Sequence, residues 1–516
     1  MRFAYAQRFG AHARPLLWQS LEAAGVVLVP ALVLVPVAVL RFIDVDEGSY
    51  VLTAKLVSEG NTPYIDFAHG QTPLLPYVYG LWTLAAGENW YLARLLSVAF
   101  ALALGGLLYR HVAVRHSRGL ALLGLVLLGS TSLAVVWFAT VKTYALSTVL
   151  LFGAYVLVER REVPSWRSWA AAGVLLGLAI DTRLIFVVAV PAFAWAAFRT
   201  DTGVERRRRL VEVGGGLTLG LTPCFAFLLL DPDRFLFDNL GAHGFRDSSG
   251  LVGDLSQKLR VAADVLVSTG AGRNPQYLLL TLLAVAAGLT LYALRRRVPL
   301  ALLLAGSLAF GSLLPTPTYS QYFCVTVPFL IVGALEVIAC LRDRAALRPE
   351  TRRMRTLGAV IGLCAMPYVA VGVIDLRRWT TLYEDQRIDR AQTVAAIIDV
   401  NTSPGEEVLS SWPGYLFETH AVQFPGLESD FAPAVAASLS PEDARHHLRA
   451  TVSRVEQAIR NQRTRLVTLK RWHNLEPTPD WETKIRASDY ILLATVAPEG
   501  RAQIGAPVYV FARPRE

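Results

Sequence analysis

The chain has 516 residues, 53% hydrophobic and 18% charged, with a formal net charge of +9. So apolar a composition excludes an ordinary soluble globular domain, and the basic balance does not signal nucleic acid, because the Arg clusters lie between apolar blocks, where membrane topology puts them. The four Cys fall in or at the edges of apolar blocks and leave neither a disulfide framework nor a Cys-based metal site.

In chain order, apolar segments near the roughly 20 residues that a spanning helix needs predict eleven transmembrane helices. They lie near 23–43, 91–110, 119–138, 143–159, 168–181, 184–198, 211–230, 276–294, 298–315, 320–341 and 356–375. The first block is followed by acids rather than a small-residue cleavage site, so it reads as a retained span. Residues 71–87 are apolar but carry Pro73 and Pro76 and read as an interfacial or re-entrant piece. The stretch 168–198 is too long for one span, and Asp181-Thr182-Arg183 splits it into two short helices.

With the N-terminus cytoplasmic, the Arg clusters between spans fall on the inner side. The first external loop, 44–90, then holds Lys55 as its only Lys or Arg. An odd number of spans places residues 376–516 outside. That tail alternates helical periodicity (385–400, 441–462) with short strand patterns, "EEVLSSW", "RLVTLK", "DYILLAT" and "PVYVFAR". A small α/β domain with a partly parallel sheet is expected there. The fold class is thus a polytopic α-helical membrane protein, 1–375, with a C-terminal extracytoplasmic α/β domain, 376–516.

Ionisable and other polar residues gather on the outer side of this topology: Asp46 and Glu47 after span 1, Asp66, His69 and Gln71 later in the loop, Lys142 after span 3, Arg183 between spans 5 and 6, and His243 and Arg246 in the next external loop. Tyr319 and Tyr322 enter span 10. Such groups at a membrane edge are usually paired or functional. Asp44 reads as a solvated neighbour. Lys142 either snorkels or serves the site, and Arg183 either pairs with Asp181 or binds phosphate. His446-His447 is expected on an exposed helix face rather than on a metal.

The stretch "VDEGSYVLTAKLVSEGNTPYIDFAHGQTPLLPYVYG" resembles the first external loop of GT-C glycosyltransferases, in the branch of aminoarabinose transferases and protein O-mannosyltransferases. The shared pattern is Asp46-Glu47, Tyr50, Gly60, Pro63-Tyr64, Asp66, and a piece containing Pro73 and Pro76. "LLGLAIDTRLIFVVAVPAF" and "PTYSQYFCVTVPFL" resemble later parts of the same family. The resemblance implies a polyprenyl-phosphate sugar donor, an extracytoplasmic acceptor (protein, lipid or polysaccharide) and a plasma or inner membrane location. It assigns Asp46 to catalysis, Glu47 as its partner and Arg183 to the lipid phosphate. The acid or Pro that the family often has near span 4 is missing from "TVKTYALS", and Asp66 is the substitute.

Transfer of a hexosyl or pentosyl group then needs a carboxylate to take the acceptor's proton, for which Asp46 is the candidate. It also needs cations for the departing phosphate: Arg183 and Lys142 first, then His69 and Arg246. Tyr50, Tyr64, Gln71, His243, Tyr319 and Tyr322 complete the expected binding residues. Carboxylate oxygens at Asp46 and Glu47 suit Mg2+ or Mn2+, and nothing in the sequence requires a metal. The competing reading is a transporter or lipid flippase with an outer accessory domain. Concentration of charge at one surface and the absence of a repeat speak against it.

Overall fold

A backbone in lipid must satisfy its own N–H and C=O groups, so apolar segments of this length become helices. The computed structural model describes residues 16–514 apart from 160–163, 200–201, 246–249, 296–297, 347–350, 382–386, 430–431, 471–480 and 499–505. Each of the eleven expected segments is helical, although 119–138 and 211–230 each fall on a bent pair of helices and 184–198 and 320–341 begin in 3-10 turns. Among the described residues, three single helices are long and apolar enough to cross a membrane: Trp90–Arg115, Gln276–Leu294 and Ser320–Arg342. Three bent pairs also pass when each pair is taken together.

Six helices make up the first part of the chain. They are α1 (Leu16–Leu40), α2 (Val45–Ser58), α3 (Leu74–Ala86), α4 (Trp90–Arg115), α5 (Arg118–Ser130) and α6 (Ser132–Phe138). The chain turns by 94° between α1 and α2 and by 70° between α5 and α6. Hydropathy gave no sign of α2, because this buried helix carries Asp46, Glu47 and Lys55 among its apolar residues. Pro73 and Pro76 do not interrupt α3; they start it, where the first turn's N–H groups have no helical partner to lose.

α7 (Thr143–Val158) and α8 (Trp166–Thr182) follow. α8 ends at Arg183, whose extended backbone leads into a 3-10 turn, Leu184–Ala189, and α9 (Val190–Phe198). The split at Asp181–Arg183 is therefore real. α10 (Gly203–Gly220) packs on α8 through Gly173, Gly177, Gly216 and Gly220, four residues apart on each helix, so that backbone meets backbone. A Cβ on Gly216 would run into the Ala170 carbonyl, whereas one on Gly214 would meet open space. Gly216→Ala is therefore expected to lower thermal stability in detergent by an amount equivalent to about 1–3 kcal/mol of overpacking. Gly214→Ala should leave it unchanged or slightly raised.

The C-terminal part holds a five-stranded mixed sheet with strands β1 (Glu407–Ser410), β2 (Val422–Gln423), β3 (Leu466–Lys470), β4 (Ile491–Val496) and β5 (Val508–Ala512). Its order is β2-β1-β3-β5-β4, with β1 parallel to β2 and β3, and β5 antiparallel to β3 and β4. The long helix expected over 441–462 is broken into Pro441–His446 and Val452–Arg460. Leu448 takes a left-handed φ of 55°, the Ala450 N–H goes to the Gly426 carbonyl, and Thr451 caps the second helix. A tertiary hydrogen bond thus overrides a continuous helical pattern.

This unit rests on the first loop. Trp412 stacks on Trp90 with centroids 5.8 Å apart, and its indole N–H donates to the Val45 carbonyl at 2.9 Å. Lys55 is 3% exposed: its Nζ donates to the carbonyls of Leu416 and Thr419 and pairs with Glu88 at 3.0 Å. The lone cation of the loop therefore ties α2 to the C-terminal part.

Candidate functional site

Asp44 caps α2: its side chain accepts from the Asp46 N–H, and its own N–H donates to Glu47 Oε1 at 2.8 Å. Asp44 and Glu47 fill the two positions of a capping box, so part of the acid cluster is explained by helix formation. Glu47 does more. It is fully buried, and its two oxygens accept from the Asp44 N–H, from Arg94 Nε (2.9 Å) and Nη2 (2.7 Å), and from the Val141 N–H (3.0 Å).

Arg94 in turn spends its remaining donors on the carbonyls of Ala38, Arg41 and Phe42, at 2.8–2.9 Å. All five N–H groups of the guanidinium are thereby used. The pair locks the end of α1, the start of α2, α4 and the turn after α6 into one joint.

From that joint the Asp46 carboxylate projects toward solvent, its side chain 32% exposed. Lys142, at the start of α7, places Nζ 2.8 Å from Asp46 and 2.5 Å from Asp44. Asp44 is therefore no solvated neighbour. Burial pushes its carboxyl up, but Lys142 and then Arg41 outweigh burial and hold it below the usual range. Burial likewise opposes the charge on Lys142, and Asp44 and Asp46 overcome that and raise its pKa.

Arg183 completes the group. It donates to the Thr143 hydroxyl at 3.0 Å and stacks on the rings of Tyr144 (4.7 Å) and Tyr322 (4.8 Å). Asp181 turns elsewhere, accepting from Cys224 Sγ. Tyr50 lies within electrostatic reach of Asp46, Lys142, Arg183 and Tyr322. Tyr319 sits at the rim, edge-on to Tyr322 at 5.7 Å.

The rest of the expected set lies apart. Tyr64 is buried against Phe227 and Phe235, and its hydroxyl donates to the Gln71 carbonyl. His69 donates its N–H to Asp238, which pairs with Arg449 of the C-terminal part at 2.8 Å. Burial lowers the His69 imidazole to about 4, so the ring is neutral at pH 7. Asp66 is exposed and accepts from the Thr62 N–H at 2.7 Å. His243 is half-buried. Arg246 lies outside the described residues.

Sequence reasoning missed Arg41, Tyr144 and Trp137. Arg41 is 1% exposed, stacks on Phe42, Trp137 and Trp379, and leaves Nε and Nη2 without a hydrogen-bond partner among the described residues. Its position directly before the acids was the available signal.

A family model described as dolichyl-phosphate-mannose-protein mannosyltransferase matches residues 70–229, less than half of the chain. No curated protein matches by sequence. Among solved structures, ArnT from Cupriavidus metallidurans bound to undecaprenyl phosphate is similar at TM-score 0.63 and 14% identity, covering 97% of this chain and 99% of that one. Its apo state gives 0.64 and 12% over the same shares. The oligosaccharyltransferase of Archaeoglobus fulgidus, tethered to an acceptor peptide, gives 0.51 and 9%, covering 88% of this chain and 70% of that one. The chain has the fold of the GT-C glycosyltransferases, which are multi-pass membrane proteins, and resembles them in sequence over residues 70–229.

Proposed function

We propose that the chain is an integral-membrane glycosyltransferase that moves a sugar from a polyprenyl-phosphate donor to an acceptor on the extracytoplasmic side. The observation that carries this reading is a partly exposed carboxylate, Asp46, held by Lys142 in one cluster with Tyr50, Arg183 and the rings of Tyr144 and Tyr322. Three carboxylates (Asp44, Asp46, Glu47) stand here against four cations (Arg41, Arg94, Lys142, Arg183), which leaves one positive charge for an incoming phosphate. ArnT with its bound undecaprenyl phosphate offers a chemical precedent in the same fold.

In this mechanism the acceptor hydroxyl attacks the anomeric carbon and passes its proton to Asp46. The bond from that carbon to the phosphate oxygen breaks. The electron pair leaves with the phosphate, whose charge Arg183 and Lys142 stabilise without reorganising. One displacement inverts the anomeric centre. Glu47 serves as a positioning residue, since its four acceptor sites are all taken.

The donor set does not fit a resident Mg2+ or Mn2+. Lys142 Nζ already bridges Asp44 and Asp46, and Glu47 has no free lone pair. No step is routed through a metal. The N-terminus is cytoplasmic in this reading, and residues 376–516 form the outer domain.

Arg183→Ala tests the phosphate site. Losing a charge-assisted hydrogen bond of about 1.5–3 kcal/mol should weaken undecaprenyl phosphate binding, read by native mass spectrometry, by about tenfold or more. Unchanged binding would remove Arg183 from the donor site. Uptake of a solute or lipid by vesicles, with no glycan formed, would favour the transporter reading instead.

A further inference from the structure

We propose that Asp233, His446 and His447 form a zinc site that clips the outer loop helix Pro232–Asn239 to the C-terminal part of the chain. The three residues present one carboxylate oxygen and two imidazole nitrogens, all within 4.8 Å of one another. They come from segments some 213 residues apart: His446 Nε2 reaches Asp233 Oδ2 at 2.7 Å.

Two further observations point to a ligand. His447 Nδ1 is buried and has no hydrogen-bond partner among the described residues. Its ring cannot easily turn away, because it lies flat on Phe237 with centroids 3.7 Å apart. The backbone of the pair is also fixed. Arg234 Nε donates to the His446 carbonyl at 2.6 Å, and Arg449 Nη1 to the His447 carbonyl at 2.9 Å.

Both guanidinium groups are neutralised by acids of the same helix region, Arg234 by Asp231 at 3.5 Å and Arg449 by Asp238 at 2.8 Å. The local field therefore does not bar a cation. Two imidazoles and one carboxylate suit zinc, with water in the fourth position. Bonds of about 2.0–2.2 Å set tetrahedral ligand atoms about 3.4 Å apart, which asks small rotations of the exposed Asp233 and His446 side chains about the fixed His447 ring.

The site is independent of the sugar-transfer reading, and so is its test. The full chain, freed of any purification tag, is stripped with EDTA, dialysed against zinc chloride and assayed for metal. About one zinc per chain is expected, with a higher melting temperature than the stripped protein. His446→Ala/His447→Ala should lose both effects. Asp233→Asn, a change at an exposed residue that should fold normally, should weaken zinc binding by about tenfold or more. Background metal in the wild-type chain, or undiminished affinity in Asp233→Asn or in the double variant, would overturn the proposal.

Discussion

Asp46→Asn is expected to lower turnover by about 10²–10⁴-fold, the contribution of a positioned general base, while undecaprenyl phosphate binding is kept or tightened, since the cluster loses one negative charge. The substitution is isosteric. The Asn oxygen still accepts from Lys142, and Asp44 still holds the same ammonium. The Asn side chain cannot take a proton, so the loss falls on the chemical step. Release of undecaprenyl phosphate from envelope membranes carrying equal amounts of each protein measures it. Turnover within about threefold of wild type is far below a base's share and would remove Asp46 from proton transfer.

The largest expected stability effect belongs to Glu47→Gln. The carboxylate receives four donors and faces two buried guanidinium groups, Arg94 at 2.7 Å and Arg41 at 3.6 Å. An amide keeps one acceptor oxygen and turns two N–H donors toward groups that are donors themselves. Removing one partner of a buried pair typically costs about 3–5 kcal/mol, because the remaining charge stays buried without compensation.

A protein of ordinary stability, about 5–15 kcal/mol, would lose a large share of it. A marked fall in melting temperature in detergent is therefore expected, together with lower yield of folded chain. Arg94→Ala should behave similarly, since it frees the carbonyls of Ala38, Arg41 and Phe42 as well. An unchanged melting temperature in either variant would show that the joint between α1, α2 and α4 does not hold the loop.

The residues that form the cluster were legible one by one. Asp46, Lys142, Arg183, Tyr50 and Tyr322 are polar or aromatic groups at the edges of apolar segments, and a hydropathy reading puts them all on one side. Their mutual contacts rest on how helices pack. The helical segments were legible for a related reason, since lipid leaves little choice but helix.

Other features depended on what arrives from afar. Asp44 looked like a solvated acid because Lys142 is 98 residues away in the chain. Glu47 looked like the catalytic partner of Asp46 because its four donors come from a bend, a neighbouring helix and a distant turn. The expected helix over 441–462 broke because the Gly426 carbonyl competes for the Ala450 N–H. Lys55, which hydropathy marks only as an isolated charge, is the tie between the loop and the sheet.

The central claim is that Asp46 serves sugar transfer from a lipid-linked donor. Comparing cell-envelope glycans and glycoproteins by mass spectrometry in cells without the chain, with it, and with Asp46→Asn tests this most directly. The account predicts a sugar that disappears without the chain, returns with the wild-type protein and does not return with the variant expressed at the same level. Identical glycan profiles in all three would contradict it.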